Sequence, residues 1–274
     1  MDIYHGHIII VSKIKQINTL LSLMEFKVFR VFFILCFCIG VAQAQPITAK
    51  AWVVSESDGT IVRKSFSADV RTPIASISKL LTVMVVLDAH QDLDELITLT
   101  TKYKDNLPSQ LPRKTLIELA LVPSNNRAAQ TLCENYPGGL GVCVYAMNQK
   151  LISIGMKDSI VYEPTGLDKR NVSTATQLIE LVKAAATYPN IVEIDKLPFI
   201  EIQSKKRKLI FHNTNPLVGK EPFEITKTGW IRASGGCIVT LFHNRIFIVL
   251  GSRNTRTRIS EVTYLYEITK GQTM

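Results

Sequence analysis

Pro73-Ile74-Ala75-Ser76-Ile77-Ser78-Lys79 leads directly into Leu80-Leu81-Thr82-Val83-Met84-Val85-Val86-Leu87. The apolar run carries no Gly or Pro and is long enough for a buried helix. With Ser76 in the first turn, Lys79 falls on the same face. A hydroxyl and an amine then lie side by side at a helix N-terminus. There the helix dipole and free N–H groups favour developing negative charge. A serine hydroxyl becomes a nucleophile when an adjacent base takes its proton. A lysine can be that base only if burial or a nearby cation lowers its pKa. Alone, the Ser-x-x-Lys pattern is cheap, since Ser12 and Lys15 repeat it. Its weight depends on what accompanies it.

The 274 residues allow one large or two small domains, and an apolar content of 46% can fill a sizeable core. No internal repeat or low-complexity tract interrupts the chain. The formal charge of +9 suits nucleic acid, but equally an anionic envelope or polymer surface. The densest basic run, Lys205-Lys206-Arg207-Lys208, lies between the apolar stretches 199–202 and 209–211. It reads as a solvated hairpin tip, and no nucleic-acid partner is expected.

Residues 24–44 have the form of an export signal. Lys27 and Arg30 give a charged start, 31–41 an apolar core, and Ala42-Gln43-Ala44 a cleavage site, so the mature chain is expected to begin near Gln45. That core is too short for a comfortable transmembrane helix, which leaves at most peripheral membrane association. Residues 1–23 precede the signal and are expected to be spurious or removed, with Met24 as the true start. One domain is expected over 45–274. Cys133, Cys143 and Cys237 remain after cleavage. Cys133 and Cys143 are close enough in sequence to pair in an oxidising compartment; free buried thiols are an equal reading. No spacing matches a zinc site.

Strands are predicted over 47–54 and 60–66, joined at Ser57-Asp58-Gly59. Helices are predicted over 113–121, 126–134, 140–154 and 173–186, the last capped by Ser173. Residues 91–122 read as mostly helical and loop-like, with Pro108 and Pro112 as breaks. Strands return over 199–204, 209–212, 224–227, 236–241 and 245–250, with a turn at Asn244, and a helix over 259–268 follows. With strands at both ends and helices between, the expected fold is α/β of the α+β type. One antiparallel sheet built from both termini is flanked by helices, with an all-helical region inserted.

Two more short motifs follow Ser76 in order. Ser124-Asn125-Asn126 separates two predicted helices, and Lys227-Thr228-Gly229 lies on a strand continuing into Trp230-Ile231. Ser-x-x-Lys, Ser-x-Asn and Lys-Thr-Gly in this order, each on its expected element, form a specific combination. At these residues the sequence resembles the penicillin-recognising serine D,D-peptidases, and more closely the low-molecular-mass D-alanyl-D-alanine endopeptidases and carboxypeptidases. The resemblance spans roughly residues 46–255. It includes Asn126-Arg127-Ala128-Ala129, Glu163-Pro164-Thr165-Gly166-Leu167, Asn171-Val172-Ser173-Thr174-Ala175 and Asn213-Thr214-Asn215-Pro216-Leu217. These read like the endopeptidase branch. The short stretch after the last strand, with no room for a β-rich domain or anchoring helix, points the same way.

The resemblance implies a penicillin-binding, β-lactamase-like transpeptidase fold and a role for each motif residue. Ser76 would attack a D-alanyl carbonyl and form an acyl-enzyme, Lys79 would take its proton, and Ser124 would relay a proton to the leaving amine. Asn126 would hold Lys79 and the substrate amide. Lys227 would help keep Lys79 neutral and attract the substrate carboxylate, which Thr228 would bind. Gly229 would let the substrate backbone approach the strand edge, and the N–H groups of Ser76 and Trp230 would hold the oxyanion. Arg232 reads equally as a substrate contact or a surface residue. Glu163-Pro164-Thr165-Gly166-Leu167-Asp168 departs from the Glu-x-x-Leu-Asn of class A β-lactamases, so Glu163 is read as ordering its loop rather than as a base.

No Gly-x-Ser-x-Gly or His-Glu-x-x-His is present. His90, His212 and His243 are not expected to be ligands, and no metal or cofactor is expected. The expectation is an exported, periplasmic, penicillin-sensitive D,D-endopeptidase, with peptidoglycan cross-links as substrate and β-lactams as inhibitors. A D,D-carboxypeptidase and a non-hydrolytic muropeptide- or penicillin-binding sensor are the alternatives.

Overall fold

The computed structural model describes residues 47–103, 105–204 and 207–272. The expected signal, the upstream extension and two lysines of the basic run lie outside these residues. Strands β1 (Ala51–Glu56) and β2 (Ile61–Lys64) come from the N-terminal part of the domain. The short strands that follow form three separate pairs, β3 (Thr72–Pro73) with β6 (Val172–Ser173), β4 (Leu96–Thr98) with β5 (Gln110–Pro112) and β7 (Phe199–Ser204) with β8 (Arg207–His212). β1 and β2 are joined by β9 (Phe223–Ile231), β10 (Gly235–Phe242) and β11 (Arg245–Ser252) from the C-terminal part. Together they form one five-stranded sheet in the order β2-β1-β11-β10-β9. The sheet is antiparallel throughout, and β1 pairs with β11 from Ala51↔Leu250 to Glu56↔Arg245. This is the sheet from both termini that the sequence predicts. The turn between β10 and β11 places His243 and Asn244 at φ 51° and 58°, matching the right-handed twist of the flanking strands.

Alternation on these strands divides the core between the two faces of the sheet. On β11, Ile246, Ile248 and Leu250 join the larger cluster, whereas Phe247 and Val249 join a second cluster with Val262 and Leu265. The latter two belong to the closing helix, Thr257–Thr269. Every residue of β11 is buried, as expected of a central strand covered on both faces.

Between the two parts of the sheet lie α1 (Ser78–Asp88), α2 (Arg113–Leu121), α3 (Asn126–Glu134), α4 (Gly139–Ser153), α5 (Leu178–Ala186) and α6 (Pro189–Asp195); the closing helix is α7. From Ser78 to Val86 every residue of α1 is buried. A helix buried all round belongs inside a core, and α2, α3, α4 and α5 pack against α1. A disulfide joins Cys133 of α3 to Cys143 of α4, while Cys237 is free and buried.

Several elements differ from expectation. The predicted helix over 173–186 begins only at Leu178. Ser173 lies in a short strand, Val172–Ser173, which pairs with Thr72–Pro73, and its hydroxyl bonds that of Ser159. A side chain tied into a tertiary bridge is not available as a cap. Pro189 opens α6, a helix that the sequence reading omitted although Pro at the first helical position is a start signal. The stretch before Arg113 is not helical; it holds a small pair of strands, Leu96–Thr98 with Gln110–Pro112. The hairpin Phe199–Ser204 with Arg207–His212 stands apart from the main sheet.

Candidate active site

Ser76 sits in a 3-10 turn, Ala75–Ile77, that leads into α1, rather than in the α-helix itself. Ala75 is held at φ 48°, in the left-handed region that a residue with a Cβ rarely adopts. Three contacts hold the turn. Thr72–Pro73 pairs with Val172–Ser173, the Ile74 N–H donates to the Asn171 carbonyl at 3.0 Å, and the Ser78 hydroxyl donates to the Ala75 carbonyl at 2.9 Å. Two glycines press on it from either side. A Cβ at Gly166, whose φ is +80°, would run into the Ala75 carbonyl. One at Gly229 would lie 2.9 Å from both Ala75 Cβ and the Ser76 nitrogen. The packing partner of Gly229 is the turn that carries Ser76.

Lys79 has no exposed surface. Its Nζ lies 2.7 Å from Ser76 Oγ, 2.8 Å from Asn126 Oδ1 and 2.6 Å from the Thr165 carbonyl oxygen. Burial, followed by the charge of Lys227, holds the Lys79 amine well below the ordinary lysine range, against a smaller opposing pull from Glu163.

The second serine, Ser124, lies at φ 61° in the chain reversal between α2 and α3. Its neighbour Asn125 caps α3 by accepting from the Ala128 N–H at 2.9 Å. Asp105 braces the reversal, accepting from Asn125 and pairing with Arg127 at 2.7 Å. This fixes Ser124 Oγ 2.8 Å from Lys227 Nζ. Lys227 is 1% exposed, and burial lowers its pKa to about 7; Asp195 pulls it upward and Arg258 pushes it further down. Thr228 donates to the Thr214 hydroxyl at 2.6 Å, and Arg258 of α7 donates to the Gly229 carbonyl at 2.6 Å.

The site residues expected from the sequence therefore fall into two hydrogen-bonded groups, Ser76–Lys79–Asn126 and Ser124–Lys227. Thr228 and Gly229 adjoin the second, and the Trp230 side chain next to them is 53% exposed. Arg232 is exposed and makes no ion pair among the described residues. Glu163 accepts from the N–H groups of Thr165, Gly166 and Asp168 and from the Thr165 hydroxyl. That is a loop-ordering carboxylate, and it sets the Thr165 carbonyl against Lys79. Sequence reading did not single out Thr165, Thr214, Asp195 or Arg258. The first two lay within stretches that carry the resemblance, and the latter two carry no local signal.

A family model described as D-alanyl-D-alanine carboxypeptidase, the S11 peptidases, matches residues 40–249. The chain belongs to this family. It is a serine-type D-Ala-D-Ala peptidase, and its family acts in peptidoglycan metabolism. A D-alanyl-D-alanine endopeptidase from Escherichia coli K12 is 38% identical over 219 residues, 74% of this chain and 70% of that protein. One of the same description from Pseudomonas aeruginosa is 36% identical, covering 73% of this chain and 69% of its own length. Among solved structures, penicillin-binding protein D2 from Listeria monocytogenes in its ampicillin-bound form matches with a TM-score of 0.73 and 26% identity. That match covers 81% of this S11 chain and 97% of the Listeria chain, and it bears out the fold expected from the motifs.

Proposed function

We propose that this protein is an exported D,D-endopeptidase that cuts D-alanyl cross-links in peptidoglycan through an acyl-enzyme on Ser76. The observation that carries the reading is the pair of buried lysines, each within hydrogen-bond reach of one motif serine. Lys79, depressed by burial and by Lys227, takes the Ser76 proton. Ser124 passes a proton to the leaving amine, and Asn126 orients Lys79 and the substrate amide. Lys227 and Thr228 hold the substrate carboxylate, and the N–H groups of Ser76 and Trp230 hold the oxyanion. A β-lactam offers the same carbonyl and carboxylate, so it acylates Ser76 and blocks the site. The bound ampicillin of the Listeria relative supports this.

The relatives described as endopeptidases favour cross-links as substrate. The description of the family model favours a carboxypeptidase as the second reading. Export to the periplasm is supported by the Cys133–Cys143 disulfide, which belongs to an oxidising compartment. Among the described residues no helix is long and apolar enough to cross a membrane. Digestion of purified muropeptides separates the readings. Loss of cross-linked dimers is expected; release of terminal D-Ala from monomers alone replaces the endopeptidase with the carboxypeptidase.

A further inference from the structure

Two carboxylates in the described chain are almost wholly buried. Glu261 is fully engaged, accepting from Thr48, Ala49 and Ser252. Asp195 is not. It ends α6, is 1% exposed, and receives one hydrogen bond, from the Thr226 N–H to Oδ2 at 2.9 Å. Its Oδ1 has no partner. An ionised carboxylate with an unused oxygen is costly to bury unless a cation stands close by. Thr226 precedes Lys227, and α6 packs on β9, so Asp195 lies beneath the strand that carries the Lys-Thr-Gly motif.

We propose that Asp195 is the buried counter-ion of Lys227, a positioning residue that keeps the Lys227 ammonium charged while it holds the substrate's carboxylate. This inference rests on the peptidase reading above and adds a residue to it. Arg258 of α7 adds like charge beside Lys227, and Lys227 in turn acts on Lys79 of α1. Asp195 supplies the opposing negative charge, and Glu163 acts on Lys79 instead. The other elements against α6 bring charges that are already matched. On α2 Lys114 pairs with Asp94 at 2.6 Å and Arg113 with Glu95, and on α5 Lys183 pairs with Glu180 at 3.1 Å. The pKa of Asp195 is itself raised to about 7, by burial first, with the Thr226 N–H and Lys227 pulling it down. The arrangement explains how one site can hold a neutral lysine and a charged one side by side. The charge acting most on Lys79 is the cation Lys227, whereas the charge acting most on Lys227 is the carboxylate of Asp195.

The test is the pH dependence of acylation by a fluorescent penicillin, whose carboxylate Lys227 would bind, in the wild type and Asp195→Asn. Asparagine retains an oxygen for the Thr226 N–H and removes the charge. The alkaline limb, where Lys227 loses its proton, is expected to move down by about one pH unit or more in the variant. A general loss of rate with the limb unmoved would mark Asp195 as merely structural and overturn the proposal. If Asp195→Asn does not fold, carbon-13 carboxyl NMR of the wild type and Lys227→Met reads the same coupling from the other side. Asp195 is expected to titrate higher once Lys227 is gone, and an unchanged midpoint would overturn the proposal. If the wild type itself is not acylated, the peptidase reading fails first, and that outcome is distinct from either of these.

Discussion

Three acceptors crowd the amine of Lys79, and it has no exposed surface. These facts turn an ordinary lysine into a candidate base, because burial and a neighbouring cation both favour the neutral form. The sign of the pH effect follows. A base works deprotonated, so acylation should fall as pH drops through the depressed pKa of Lys79. On the alkaline side, carboxylate capture should weaken as Lys227 loses its proton near pH 7. Stopped-flow acylation across pH checks both limbs. Lys79→Ala should slow acylation by about 10²–10⁴-fold, the usual contribution of a positioned general base. The motif residues were legible in the sequence because their types and order are chemically restrictive. Asp195, Arg258 and the Thr165 carbonyl were not. Asp195 and Arg258 act only where distant segments meet, and a backbone carbonyl has no letter of its own.

At the scale of elements, the turn that bears Ser76 is held by partners far away in sequence. Gly166 and Gly229 press against it, and the strand pair Thr72–Pro73 with Val172–Ser173 anchors its start. A methyl group at Gly229 has no space, so Gly229→Ala should displace the turn. It should lower thermal stability by about 1–3 kcal/mol and slow acylation as well, measured by melting and by penicillin labelling. The disulfide between α3 and α4 steadies the helix whose first turn carries Asn126. Replacing both cysteines with serine should cost about 2–3 kcal/mol, read from chemical denaturation, if the cross-link acts by restricting the unfolded chain. Helices α2 and α3 were legible to the residue because periodicity and punctuation agree there. The start of α5 was not, because Ser173 has the chemistry of a cap but is held by a strand and by Ser159.

At the scale of the molecule, one sheet closes the two ends of the domain, and the helical middle delivers Lys79, Ser124 and Asn126 to the edge strand that carries Lys227. This architecture was foreseeable from strands at both termini. The burial of β11 on both faces was less so, because both faces being covered is a property of the assembled layers. If residues 24–44 are removed on export, the mass of the mature protein should place its first residue near Gln45; a mass retaining that segment would contradict the export reading. The most direct test of the whole account is intact-mass spectrometry of the wild type and Ser76→Ala after incubation with benzylpenicillin. One covalent adduct is expected on the wild type and none on the folded variant. An adduct on both, or on neither, would contradict Ser76 as the nucleophile.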